Sequence, residues 1–197
     1  MKRTNSFCRF FVQNRRLLLF LLLPLFGCVC GMLLCKNGIL SEQWIALVKM
    51  QPVTGGIPGA FSAWCSSSFQ ATCLLLLLFF FGVSAFGAPF VLIVPLIWGM
   101  GFGVAETYYA DNGGFLILAA VLLPPAIMEL VALLMACSAA LRMSVLTTVQ
   151  LLPRSARCGG LWQDFRLYSV RFLVLWVLVL GAGALDVALR FVFRGLL

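Results

Sequence analysis

Four long apolar segments constrain this sequence more than any other feature. They occupy residues 17–34, 71–109, 115–146 and 172–191. Each is long enough, at about 17–25 residues per crossing, to span a bilayer as a helix. A bilayer core contains no water to satisfy exposed backbone groups, so a spanning chain must form helices or a closed barrel. The sequence therefore predicts an all-α fold, a polytopic membrane helix bundle.

The second segment, 71–109, is too long for a single crossing. A Gly-Ala-Pro sequence ending at Pro89 interrupts it, and proline cannot continue a helix without the loss of a backbone hydrogen bond. We therefore expect two helices, at about 72–86 and 90–108, joined by a tight turn.

The third segment, 115–146, is also long, and Pro124 and Pro125 lie near its middle. Two consecutive prolines remove two donors from the hydrogen-bond ladder, which predicts one helix that is broken or sharply kinked at Pro124-Pro125. With the first and last segments, this makes about five transmembrane helices. They form a single integral membrane domain over residues 1–197.

The basic residues predict the orientation of the spans. Lysine and arginine cluster in the amino-terminal residues 1–16 and in the loop 153–171, and such clusters favour the cytoplasm. With five spans both clusters lie on the cytoplasmic side, while the loop 36–70 and the carboxyl terminus lie outside. A four-span arrangement, with 71–109 as one helix, would place 153–171 outside and is rejected for that reason.

Composition argues against several function classes. The chain contains no histidine, which removes every imidazole base and imidazole metal ligand. Its eight cysteines form no C-x-x-C pair and serve best as small apolar filler, although Cys35 and Cys65 bracket the outer loop and are a candidate disulfide. The net charge of +8 lies beside the apolar runs instead of along one polar face. We expect no enzyme, no metal or other cofactor, and no nucleic-acid partner.

Two acidic residues lie inside apolar segments. A charge at the centre of a membrane helix costs at least about 2.5–3.5 kcal/mol, so Glu129 and Asp186 should each face a partner or a wet cavity. Two interpretations stay open for both residues. One is a proton or ion path, or a contact with a partner's helix. The other is local, with Asp186 paired to Arg190 one turn later and Glu129 at the start of the helix that follows Pro125.

The glycines of the third predicted span follow a G-x-G-x-G pattern from Gly99 to Gly103. No strand precedes the pattern and it lies inside an apolar helix, so it does not match a nucleotide-binding loop. Small residues at this spacing allow a neighbouring helix to approach closely, and the pattern therefore predicts helix packing.

The outer loop contains a short amphipathic stretch at residues 41–50. Its apolar side chains, among them Trp44, Ile45 and Val48, recur at helical spacing. We expect a short helix on the membrane surface that contacts either membrane lipids or a partner protein.

The segment 74–144 contains a Gly-x-Ser-x-x-Gly-x-Pro turn at residues 82–89, followed by a glycine pair and a Leu-Pro-centred helix. In these motifs and in the order of its elements, the chain resembles the stage II sporulation protein M family. Pro125 departs from the polar residue that follows the first proline in that family. The residues that carry the turn and the glycine spacing, and that we expect to pack helices, are Gly82, Gly87, Pro89, Gly99 and Gly103.

This resemblance implies a non-enzymatic scaffold in the cell membrane of a spore-forming bacterium. The family's member acts during engulfment, when it holds peptidoglycan-degrading membrane proteins at the septal membrane. Five spans, an outer loop and the lack of a catalytic set agree with an anchor. The residues also leave open a small membrane transporter or permease subunit that uses the broken helix and Glu129.

Overall fold

A computed structural model describes residues 15–38, 56–111, 118–151 and 161–193, and their regular structure is entirely helical. The α-helices within these residues are α1 (Arg15–Lys36), α2 (Gly56–Val83), α3 (Ala88–Asp111), α4 (Leu123–Leu151) and α5 (Leu161–Val192). Helices α2 to α5 are long and apolar enough to cross a membrane, and α1 contains a shorter apolar stretch. The predicted all-α, polytopic bundle is confirmed.

Helix α2 begins well before the predicted start near residue 72, so the prediction that residues 56–70 belong to an outer loop is wrong. Gly56 has a φ of 68°, which glycine adopts without strain at the start of the helix. Pro58 lies in the first turn, where its missing N–H has no helical partner to lose. The glycine and proline cluster therefore marks a helix start. Residues 39–55 of the predicted loop lie outside the described residues.

Helix α5 also begins earlier than predicted, at Leu161, so residues 161–171 are helical instead of part of a basic loop. Asp164 lies in its first turn, where a carboxylate interacts favourably with the positive end of the helix dipole. Arg166 and Arg171 consequently lie on a helix. Residues 152–160 are outside the described part of the chain.

The irregularity expected at Pro124-Pro125 takes the form of a π-helical turn, Leu118–Leu122, directly before α4. The two prolines lie in the first turn of α4. The wider π-helical turn before them changes the hydrogen-bond pattern, so the N–H groups that proline lacks are not needed there. The result is a nearly continuous helix, and residues 120–149 form one candidate span.

Helix α1 packs most extensively on α3. A Cβ atom added at Gly99 would overlap the carbonyl oxygen of Pro24, and one added at Gly103 would overlap that of Cys28. Both contacts advance along the two helices in the same sense, so α1 and α3 run parallel. The backbones meet directly, as they do in membrane helix pairs built on glycine.

Two further glycines complete this interface from the other side. Gly27 of α1 lies against the carbonyl oxygen of Leu96, and Gly31 lies against that of Met100, so neither position has room for a side chain. Sequence analysis missed these two residues, although their G-x-x-x-G spacing carried the signal.

The helices alternate in direction through the bundle. Ser67 of α2 meets Asp186 of α5, whereas Gly82, near the end of α2, meets Tyr168, near the start of α5. Helices α2 and α5 are therefore antiparallel, and α3 and α4 are antiparallel as well. We call the basic end of the bundle the one that holds the start of α1, the α2–α3 turn, the end of α4 and the start of α5.

Candidate functional site in the membrane-embedded interior

Asp186 is buried in the last turns of α5, with 5% of its surface exposed. Its Oδ1 accepts a hydrogen bond from Nε of Arg190 at 3.0 Å, and its Oδ2 accepts one from Nη2 of the same residue. Oδ2 also accepts a hydrogen bond of 2.7 Å from Oγ of Ser67 on α2. The carboxylate is thus neutralised by a two-point guanidinium contact within its own helix and tied to a second helix.

This contact belongs to a polar seam between α2 and α5. Trp64 of α2 donates from Nε1 to the carbonyl oxygen of Leu180 at 3.0 Å, and Trp176 of α5 donates from Nε1 to Oγ1 of Thr72 at 3.3 Å. Hydrogen bonds across helices compensate polar groups that hydrocarbon cannot solvate. The seam explains why the polar residues before Thr72 continue a helix, where sequence analysis expected a loop.

Glu129 lies on α4 a little over one turn after Pro125, and its Oε2 accepts a hydrogen bond of 3.3 Å from Nε1 of Trp98 on α3. Glu129 thus contacts a neighbouring helix, as Asp186 does, so the fold turns both predicted intramembrane acids toward polar partners within the bundle. Among the described residues the only ion pair is that of Arg190 with Asp186, so Glu129 depends on the indole alone.

We name Ser67, Trp98, Glu129, Asp186 and Arg190 the embedded acidic cluster. Its hydrogen bonds join α2 to α5 and α3 to α4, contacts that sequence spacing alone could not reveal. In the described part of the chain no group of three or more metal-ligating side chains occurs. Chemically, these hydrogen bonds can hold the helices together, and Glu129 has fewer polar partners than Asp186 among the described residues.

The second notable region is the α2–α3 turn at the basic end. Gly82 packs where α2, α4 and α5 meet, because a Cβ there would overlap the hydroxyl of Tyr168 and lie 2.9 Å from Cα of Ala140. The Tyr168 hydroxyl donates to the carbonyl oxygens of Leu78, at 3.3 Å, and Phe79, at 3.1 Å. Gly82 therefore makes room for the tyrosine that closes this end of α2.

The turn itself is closed by Gly87 and Pro89. A Cβ at Gly87 would overlap the carbonyl oxygen of Phe81. The N–H of Gly87 donates to the carbonyl oxygen of Ser84 at 3.2 Å. Pro89 lies in the first turn of α3, a position that lacks a helical partner for its N–H in any case. These two residues let the chain reverse within a few residues.

Hydroxyl groups of α4 bond to carbonyl groups of the α2–α3 turn, directly after the end of α2. Ser144 donates to the carbonyl oxygen of Ser84 at 2.9 Å, and Thr148 donates to that of Ala85 at 2.8 Å. The last carbonyls of a helix have no intrahelical donors, so these bonds replace water at the turn. Sequence analysis did not select Ser144, Thr148 or Tyr168, because their partners are more than 50 residues away.

Two further predictions concern the outer loop: a surface helix and a disulfide. Trp44, Ile45 and Val48 lie outside the described residues. Cys35 and Cys65 are separate thiols in this structure.

These features define a class: a polytopic α-helical membrane protein with a glycine-mediated parallel helix pair, a hydroxyl-capped turn and a compensated interior acid. The chain belongs to the stage II sporulation protein M family, whose family model matches residues 17–188. The match begins within α1 and ends within α5, so it covers all five helices. No curated protein and no solved structure matches the chain. The family resemblance seen in the sequence is thereby confirmed.

Proposed function

We propose that this chain is a non-enzymatic membrane scaffold that anchors peptidoglycan-degrading partners at the septal and engulfing membrane during endospore formation. Its family membership supports this role. The structural observation that carries the proposal is the internal compensation of Asp186 by Arg190 and Ser67. A carboxylate whose hydrogen-bonding positions are taken by the protein itself joins helices, and it has little capacity left to exchange a solute.

The close backbone contact between α1 and α3 supports the same proposal. Helices that meet through glycine form a rigid pair, which suits a protein whose task is to hold partners in place. A second copy of the chain is not needed to cover these glycines, since each is already covered within the chain.

Residues 39–55 are the proposed contact for the partners. This segment joins α1 to α2 at the end of the bundle opposite the basic end, and the positive-inside rule places that end outside the cytoplasm. Peptidoglycan-degrading proteins act on that side. Trp44, Ile45 and Val48 supply the apolar side chains that a partner surface would cover.

Replacing Trp44 and Val48 together by serine is expected to weaken co-purification of the peptidoglycan-degrading partners from a sporulating host. Membrane insertion should be unaffected, because both positions lie outside the long apolar segments of the sequence. Phe86→Ser is the matched control, since Phe86 is 83% exposed in the α2–α3 turn at the basic end. Full recovery of the partners by the double variant would remove residues 39–55 from the contact.

One observation favours transport as a second candidate. Glu129 has a single hydrogen-bond partner among the described residues and follows a π-helical turn, and π-turns are frequent at functional sites. Ion or solute flux in liposomes that contain the purified protein, abolished by Glu129→Gln, would support a transporter. Equal flux through protein-containing and empty liposomes would count against transport and would favour the scaffold.

A further inference from the structure

A cleft separates α4 from α5 at the basic end of the bundle. Four apolar side chains line it, Ala139, Met143 and Leu146 of α4 and Leu167 of α5; Met143 is buried and Leu167 is exposed. Tyr168, which is buried and bonded to the end of α2, also lines the cleft. Neither the acidic cluster nor the α2–α3 turn uses these apolar residues.

Charged residues surround the opening of this cleft. Arg142 of α4 and Arg171 of α5 line it and are exposed, and Asp164 lines it as well. None of the three takes part in an ion pair within the described residues. Two guanidinium groups and one carboxylate leave a net charge of +1 at the opening.

The two arginines lie close to the level of the α2–α3 turn, because Ser144 bonds to that turn at Ser84 and Tyr168 bonds to the last turns of α2. From residue 126 to 141 the only charge is Glu129, and residues 172–185 carry none. Arg142 and Arg171 therefore lie at the level where long basic side chains reach from the hydrocarbon to the headgroups. The cleft offers cations at headgroup depth and an apolar surface beside them.

We propose that this cleft binds one anionic phospholipid. The phosphate lies between the guanidinium groups of Arg142 and Arg171, and an acyl chain lies along Met143 and Leu167. Arginine matches the geometry of a phosphate through paired N–H donors. Basic pockets between membrane helices on the cytoplasmic side bind acidic lipid headgroups by the same combination of charge and depth. The bound lipid would join α4 to α5.

The experiment uses the full chain in neutral detergent and measures lipid adducts by native mass spectrometry. The probes are phosphatidylglycerol and phosphatidylcholine, which differ in headgroup charge. Each arginine near an anionic surface contributes roughly fivefold in affinity, so R142Q/R171Q is expected to bind phosphatidylglycerol about thirtyfold more weakly than the parent. Phosphatidylcholine should bind both proteins weakly and alike.

Arg166→Gln is the matched control. Arg166 is exposed on the same helix but does not line the cleft, so its removal changes net charge without touching the site. We expect this variant to retain the parent's phosphatidylglycerol adduct. An equal loss in Arg166→Gln would show general charge attraction and would overturn the proposal, as would an unchanged adduct in R142Q/R171Q.

Two further arms address the ligand's source and the fold. Displacement of the lipid adduct by millimolar inorganic phosphate would identify a phosphate site and would overturn the assignment to a lipid. If R142Q/R171Q fails to fold, Ala139→Phe replaces it, because the larger side chain occupies the apolar surface while both arginines remain. That variant is expected to lose the adduct, and its retention would overturn the proposal.

Discussion

At the scale of single residues, Asp186 shows how a charge is accommodated within this bundle. Its partner Arg190 lies one turn later on the same helix, and Ser67 reaches it from another helix. Truncating one member of a buried pair leaves the other charge uncompensated, whereas removing both is far less costly. The pair therefore specifies the contact more than it stabilises the bundle.

Replacing Arg190 by Gln is expected to destabilise the protein by about 3–5 kcal/mol, because Asp186 then stays buried without its cation. The double variant Asp186→Asn with Arg190→Gln should recover most of that loss. Equilibrium unfolding in mixed detergent micelles provides the measurement. A double variant no more stable than Arg190→Gln alone would contradict this account of the ion pair.

At the scale of helices, the α1–α3 pair depends on glycine on both sides. Gly27 and Gly31 face the backbone of α3, while Gly99 and Gly103 face the backbone of α1. At all four glycines the nearest atoms of the facing helix are backbone atoms, so a side chain added there must displace the whole helix. The glycines at the α2–α3 turn have different neighbours. Gly82 faces the side chain of Tyr168, and Gly87 faces the backbone of Phe81 on the preceding helix.

Replacing Gly99 or Gly103 by Leu is expected to separate α1 from α3 and to lower the melting temperature in detergent. Overpacking typically lowers the free energy of unfolding by about 1–3 kcal/mol. We expect a loss near the upper limit here, because the atoms opposite Gly99 and Gly103 are backbone atoms that cannot rotate away. Gly181→Leu is the matched control, because nothing lies within 4 Å of a Cβ at that position on α5. If all three variants melt together with the parent, the glycine contact does not hold α1 in place.

At the scale of the whole molecule, the alternating directions of the helices place the start of α1 and the start of α5 at one end. The chain therefore enters α1 and α5 from the same side of the bundle, which agrees with the predicted five-span arrangement. The positive-inside rule assigns that side to the cytoplasm, and this assignment stays a prediction.

Cysteine labelling of intact cells tests the orientation. In a background whose native cysteines are replaced by serine, Gly38→Cys at the end of α1 should react with an impermeant reagent. Gly160→Cys, just before α5, should react only after the membrane is permeabilised. Labelling of Gly160→Cys from outside would reverse the orientation of the whole bundle.

Local properties of the chain were enough to predict a helical membrane bundle, the turn that ends before Pro89 and the irregularity at Pro124-Pro125. Hydropathy and the lost proline donor act within a few residues, so they can be recognised without knowledge of the fold. The same local signals misplaced the starts of α2 and α5. Their polar first turns resemble loops until the helices that satisfy them are known.

Only the tertiary structure decided which distant residues meet. Glu129 meets Trp98, Asp186 meets Ser67, and the two G-x-x-x-G pairs lie opposite each other. The structural role of a glycine or a buried acid depends on the residue that faces it, and helix packing determines which residue that is. A sequence pattern can mark such a residue, but the packed bundle supplies its partner.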